Sequence, residues 1–256
     1  MVQLGTSEDM DNYGPATYGD RIASGYDENH ISLFAPDVTG LMVDVLAGLA
    51  ADGTALELGI GTGRIGLPLA AIGVPMQGID ASEAMVARLR EKDGGADIPV
   101  TIGDFAEFEL DTEFSLIFVI FNTIFALLTQ EDQIACFQRV ADHLAEDGVF
   151  VIEAFVPDQT RFVRGNNIDV GTVDTDEVRI DVTNHDPVAQ VATTQHIHFT
   201  DDGVEMYPVQ LRYAWPSELD LRARLAGLTL RDRWGGWDRQ PFTAASTNHV
   251  SVYELA

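Results

Sequence analysis

The chain has 256 residues, 46% hydrophobic and 22% charged, which suits one α/β domain carrying an insertion better than two independent domains. Asp and Glu number 41 against 15 Lys and Arg, a formal net charge of -26, so the long-range field repels phosphate backbones and anionic headgroups and argues against nucleic acid or a membrane surface as partner. The same field suits a small cationic substrate, and also the plainer role of acidity in solubility.

The opening MVQLGTSEDMDNYGP lacks the basic start and apolar core of a signal peptide. A cytoplasmic location is expected, in keeping with a single cysteine, Cys136, in the helical stretch DQIACFQRVADHLA, where a small buried thiol is expected. Residues 1–40 carry Tyr13, Tyr18, Tyr26, His30 and Phe34 among glycines and acids, and read either as a lid over a ligand or as a surface helix anchored to the domain edge. From Leu41 the pattern alternates: LMVDVLAGLA helical, TALEL a strand, RIGLPLAAIG a helix, VPMQGID a strand, and SEAMVARLREK a helix opened by a Ser82 cap. The strands IPVTIG and SLIFVIF, a helix from Glu131 to Ala145 and the strand GVFVIEAF follow, so residues 41–157 supply five strands of a doubly wound core. In that last helix Ile134, Phe137, Ala141 and Leu144 form the expected buried face. The longest apolar run, Phe114 to Leu128, is broken by Asn122 and Thr123 and falls short of the ~20 residues that span a bilayer. It reads as a buried parallel strand entering an active-site turn.

Residues 158–215 change to period two in VRIDVTN, QVATTQHIHFT and VEMYPVQLRYA, separated by the turns NHDP and DDG. This antiparallel insertion after the fifth strand is expected to cap an acceptor pocket, to form a homo-oligomer interface, or both, because its edges need a partner. Residues 216–256 supply a helix from Pro216 and two strands, LTLRDRW and NHVSVYEL, that complete the sheet.

Three acids stand at the ends of three consecutive strands: Glu57 opening ELGIGTG, Asp80 closing MQGID, and Asp104 in TIGDF. In an open parallel sheet, ligands bind beyond the carboxyl ends of the strands, and Gly59, Gly61 and Gly63 let the backbone approach one closely. Asp80 can accept from the vicinal hydroxyls of a ribose, Asp104 from an exocyclic amine, and Phe105 offers a face to a purine. Gly61, Gly63 and Gly66 also spell GxGxxG, and Asp80 lies 19 residues beyond Gly61, as in a dinucleotide site. Glu57 ahead of the first glycine and the Asp104–Phe105 pair favour a single nucleoside joined to an amino acid.

These motifs resemble the class I S-adenosylmethionine-dependent methyltransferases over roughly Leu41 to Phe155 and the terminal strands. The resemblance implies a seven-stranded Rossmann-like sheet with an antiparallel last strand and S-adenosylmethionine as cofactor. It implies that Glu57 orders the glycine loop and the methionine amino group, Asp80 holds the ribose, Asp104 and Phe105 frame adenine, and Met85 packs beneath it. Ile60, Ala81 and Gly103 join Gly59, Gly61 and Gly63 as cofactor contacts, with Arg64 placed for the methionine carboxylate and Tyr26 and Phe121 as walls. The insertion and the YGDRIASGYD leader resemble the small-molecule N-methyltransferases of glycine, deoxyamino sugars and lincosamides. Phe125 and Ala126 stand where the deoxyamino-sugar enzymes tend to carry a histidine.

Transfer from a sulfonium is an in-line displacement, so alignment, exclusion of water and aromatic walls are what the protein must supply. Tyr18, Tyr26, Phe121 and Phe125 are the expected walls, and Tyr18, Phe121, Asn122 and Phe125 the expected acceptor contacts. An amine must lose a proton before attack, and Glu153, at the end of the fifth strand, is the expected acid for orienting or deprotonating it. Tyr18, Phe125 and Glu153 are thus the catalytic candidates. His196 and His198 share one face of a strand, but spacing places no third ligand beside them, and no metal is expected. O-methylation of a hydroxyl or carboxyl is the alternative reaction, and a binding scaffold without chemistry is disfavoured by the intact acids.

Overall fold

The structure, a computed structural model, describes residues 13–30 and 34–256, so residues 1–12 and 31–33 of the expected lid segment lie outside the described residues. Among the described residues, two short helices, α1 (Thr17–Ile22) and α2 (Tyr26–Asn29), precede α3 (Pro36–Ala50). The core then runs β1 (Ala55–Leu58), α4 (Gly66–Ala71), β2 (Met76–Asp80), α5 (Glu83–Arg90), β3 (Val100–Ile102), β4 (Phe114–Val119), α6 (Gln130–His143) and β5 (Leu144–Phe155). Four strands form the insertion: β6 (Asn166–Val173), β7 (Glu177–Asp186), β8 (Val191–Thr200) and β9 (Gly203–Arg212). The chain closes with α7 (Pro216–Leu225), β10 (Leu228–Trp234) and β11 (Asn248–Leu255).

The seven-stranded sheet has the order β10-β11-β5-β4-β1-β2-β3, and only β11 runs antiparallel to its neighbours. This is the expected Rossmann-like α/β architecture. β1 pairs with β2 on one side and β4 on the other, so the strand order reverses there and a crevice opens beyond their carboxyl ends. Alternate residues of these strands feed two cores. Leu56, Leu58, Ile117 and Phe150 join one with α6, while Ala55, Leu116, Phe118 and Val151 join the other with α3.

Helix starts follow local chemistry. Ser82 accepts a hydrogen bond from the Met85 N–H at 3.2 Å, and Thr129 accepts one from the Asp132 N–H at 3.0 Å, satisfying donors that a first turn leaves free. The buried face of α6 is rotated from the expected one. It presents Gln133, Cys136, Phe137 and Val140, with Ile134 only partly covered and Leu144 already in β5. Gln133 is fully buried because its side-chain N–H groups donate to the Leu127 and Arg212 carbonyls, at 3.0 and 2.8 Å. That pair of bonds ties the end of the insertion to the core.

The insertion has one more strand than its sequence pattern shows. β6 is mostly exposed, and Gly171 falls at a bulge opposite β7, which breaks the period-two signal. Among the described residues, no helix is long and apolar enough to cross a membrane.

Candidate active site

Beyond the reversal point lies a cavity of about 370 Å³, within the range of small-molecule sites. Its floor is the turn after β1, where Gly59 and Gly61 adopt φ of 74° and 56°, values that favour glycine. The Gly59 and Ile60 N–H groups donate to the Ile79 carbonyl at 2.8 and 3.0 Å, wrapping the turn over the end of β2. Asp80 takes the Gly61 N–H on one carboxylate oxygen at 2.7 Å and the Ser82 N–H on the other at 2.8 Å. A carboxylate has about four lone-pair sites, so acceptor capacity remains for two ligand hydroxyls.

Glu57 is 3% exposed, and its Oε2 has no hydrogen-bond partner. Burial pushes its pKa up to about 8, against the opposing pull of the Arg64 guanidinium and the Gly66 N–H. A buried carboxylate lining a cavity is the counterpart of a ligand cation. Asp104 accepts from the Ala106 N–H at 2.8 Å through Oδ1. Asp104, Phe105, Ala81 and Met85 continue the same wall, and Phe105 also anchors in the core.

The turn after β4 carries two successive non-glycine residues in the left-handed region, Phe121 at φ 56° and Asn122 at φ 64°. Such a pair is costly unless surrounding bonds hold it. Here the Phe121 N–H donates to Glu153 Oε2 at 2.6 Å, the Asn122 N–H to the Glu153 carbonyl at 3.3 Å, and the Phe155 N–H to Asn122 Oδ1 at 2.7 Å. The Phe121 ring is thereby held with the Arg64 guanidinium 4.7 Å from its centroid and the His30 ring edge-on at 6.3 Å.

The leader lies over this cavity. Tyr13, Tyr18, Tyr26 and His30 line it, and burial raises the pKa of all three phenols, so they present neutral hydroxyls and ring faces. Ser82 Oγ donates to Asp20 at 2.6 Å, Thr62 Oγ1 donates to Asp27 at 2.6 Å, and Asp27 forms an ion pair with Lys92. Gly19 permits this seat, since a Cβ there would lie 2.7 Å from Ser82 Cβ.

Four expected site residues do not line the cavity. Gly63 is needed for packing, because a Cβ there would lie 2.4 Å from Leu89 Cδ1. The Gly103 N–H donates to the Asp80 carbonyl at 3.0 Å, extending the backbone pairing past β2 and β3. Phe125 is fully buried, its ring edge-on to Phe155 at 5.0 Å. Glu153 points its carboxylate at the Phe121 N–H rather than into open space, and burial raises its pKa while that N–H and Arg64 lower it. The remaining expected residues, Tyr18, Tyr26, Glu57, Gly59, Ile60, Gly61, Arg64, Asp80, Ala81, Met85, Asp104, Phe105, Phe121 and Asn122, are brought together.

The sequence reading missed His30 and His196. His30 falls four residues after Tyr26 and stacks on it at 4.5 Å, a one-turn spacing legible in the sequence. His196 reaches the cavity from the insertion, together with Val209 and Leu211. Among the described residues, no group of three or more His, Cys, Asp or Glu side chains is arranged to hold a metal ion.

Residues 55–148 match the family model described as a methyltransferase domain. The cypemycin N-terminal methyltransferase of a Streptomyces species is 28% identical over 241 residues, covering 90% of this chain and 98% of that protein. The structure of the CcbJ methyltransferase from Streptomyces caelestis superposes with a TM-score of 0.89 at 38% identity, covering 95% of this chain and all of that one. The S-adenosylmethionine-bound CalS10, an amino pentose methyltransferase from Micromonospora echinaspora, shares the fold at a TM-score of 0.65 and 22% identity, over 90% of this chain and 94% of that one. The cavity fits the cofactor these relatives imply. The buried Glu57 carboxylate on its wall answers its ammonium, the open acceptor sites of Asp80 its ribose, and the aromatic walls its sulfonium. The chain belongs to the class I S-adenosylmethionine-dependent methyltransferases, and S-adenosylmethionine is its cofactor.

Proposed function

We propose that this enzyme transfers the methyl group to the nitrogen of a small amine in a natural-product pathway. The observation that carries this reading is a second cavity of about 460 Å³, which shares His196, Val209 and Leu211 with the cofactor cavity. Among the described residues, Asp158, Asp169 and Asp181 line it with Arg161 as its one Lys or Arg, and Arg161 is already paired with Asp169 at 2.5 Å. A cationic acceptor suits that wall and the strongly acidic chain around it. The names of the cypemycin N-terminal methyltransferase and the amino pentose methyltransferase support the same direction.

In this reading Glu57 binds the methionine ammonium, Asp80 the ribose, and Asp104 with Phe105 the adenine, above Met85. Arg64 meets the methionine carboxylate. The bound cofactor supplies an activated methyl group. Tyr18, Tyr26 and Phe121 favour positive charge by their ring faces and exclude water, while Asn122 and Tyr18 orient the acceptor. Glu153 acts through the Phe121 turn that it holds, and Phe125 supports the wall from behind. The outer face of the insertion exposes Ile168, Val170, Val182, Phe199, Val204 and Met206, an apolar surface that supports pairing with a second copy.

Incubation with S-adenosylmethionine and ethanolamine, D-glucosamine or trialanine, each beside its hydroxyl counterpart, tests the reading by mass spectrometry. A methyl added to nitrogen is expected. Methylation of the hydroxyl compounds alone would overturn it.

A further inference from the structure

The insertion turns one face of its sheet toward the core. On that face Asp181, His196 and Tyr207 stand in register across β7, β8 and β9, and Thr183, Thr194 and Val209 stand in the next row. His196 contributes to both cavities, so it occupies the partition between cofactor and acceptor spaces. Its Nδ1 lies 2.6 Å from Asp181 Oδ1. A carboxylate accepts, so in the neutral imidazole this contact puts the hydrogen on Nδ1 and leaves Nε2 with a lone pair.

We infer that the second cavity holds the acceptor and that His196, oriented by Asp181, takes the proton from the acceptor's ammonium at the boundary with the cofactor. This rests on the N-methylation reading. The ammonium proton passes to Nε2, freeing the nitrogen lone pair. That pair forms the bond to the methyl carbon as the carbon–sulfur bond breaks and its electrons stay on sulfur. The product leaves as an N-methylated ammonium, and His196 returns its proton to solvent.

The cavity also constrains the acceptor's body. Gln159, Asn167, Thr183, Thr194 and Asn248 bring amides and hydroxyls to its lining, and Phe155 and Phe162 bring apolar side chains. An amine on a scaffold with several hydrogen-bonding groups and some apolar surface fits this lining. An amino sugar and a short peptide amine both have that chemistry, and the two probes D-glucosamine and trialanine separate them. The charged and titratable groups around His196 are Asp181 and Arg179 on β7, Asp169 in register with Asp181 on β6 and paired with Arg161, His198 on its own strand, Tyr207 and Glu205 on β9, and Tyr18 and His30 from the leader. Tyr207 donates to Glu205 at 2.6 Å. Burial keeps Tyr18 a neutral phenol and lowers the pKa of His30. Among these groups only His196 combines the Asp181 clamp with a place on both walls.

The test uses the full chain and the amine with the highest turnover in the panel above. His196→Asn is expected to lower kcat about 100-fold or more near neutral pH, the lower end of what a positioned base contributes. The deficit should close as pH rises past the acceptor's own pKa, because free amine then arrives without help. Asp181→Asn should give a smaller loss with the same recovery. Calorimetric affinity for S-adenosylhomocysteine should be unchanged in both variants, which shows that the fold and the cofactor site survive. Independently of turnover, adding the amine to the enzyme–S-adenosylhomocysteine complex should move the His196 Nε2 resonance from its unprotonated to its protonated position. An unchanged resonance, or a His196→Asn enzyme with the wild-type rate and pH profile on nitrogen, overturns the inference alone. Transfer to oxygen only, or to no amine at all, overturns both it and the N-methylation reading.

Discussion

Glu57→Gln separates the two demands placed on the most buried acid of the site. Wild-type Glu57 goes from an ordinary value of 4.5 to about 8 because folding removes its carboxylate from water. With the folded value raised, the neutral carboxyl favours the native state fully below about pH 4.5, and that contribution is lost as pH rises toward 8. Above that range the buried anion costs up to the order of 5 kcal/mol. Gln has no proton to lose, so the stability difference between variant and wild type should shift in the variant's favour by that order between about pH 5 and pH 9. A constant offset of about 1–3 kcal/mol from the new amide leaves the slope intact. The many other carboxylates titrate alike in both proteins and cancel. Urea unfolding of the cofactor-free proteins at several pH values reads this directly. Cofactor binding should show the opposite preference: wild-type affinity increases with pH by up to about tenfold per unit below 8, as the ligand cation expels the proton, and the variant binds weakly without that slope. A stability difference that stays flat with pH would refute the reasoning.

Asp80→Asn should weaken S-adenosylmethionine binding by about 2–3 kcal/mol, roughly 30- to 150-fold by calorimetry, because an amide cannot accept from the Gly61 and Ser82 N–H groups and two ribose hydroxyls together. Gly19→Ala forces a methyl against Ser82 Cβ and should cost about 1–3 kcal/mol of leader docking, seen as weaker cofactor affinity at nearly unchanged core unfolding. Glu153→Gln should lower kcat through the misplaced Phe121 turn while leaving any pH dependence traced to His196 in place; loss of that dependence would give Glu153 the proton instead. Val170→Lys with Met206→Lys should reduce self-association in sedimentation without loss of folding, and a monomeric wild-type protein would dismiss the pairing surface.

Much of the cofactor site was legible because it is built from residues close to strand ends. Gly59, Gly61, Asp80 and the Asp104–Phe105 pair are placed by the local course of the chain, and a parallel sheet brings successive strand ends together wherever its helices lie. The buried face of α6 was less legible, since Gln133 enters the core only through carbonyls of Leu127 and Arg212, the latter far along the chain. β6 escaped notice because its exposure and the Gly171 bulge remove the alternation that marks a strand. Spacing placed Phe125 and Glu153 at the site, but a side chain's direction depends on its neighbours: Phe155 holds one in the core, and the Phe121 N–H holds the other in the turn.

The sequence by itself therefore determined the sheet, the glycine turn and the acids that meet the cofactor, all set by short-range pattern. The tertiary structure alone decided that the leader lies over the cavity, through Asp20 on Ser82 and Asp27 on Thr62, and that His196 meets Asp181 on the partition between two cavities. Those contacts join residues 62, 35 and 15 positions apart. Pairings of that kind arise from how separate elements pack, which no local periodicity encodes.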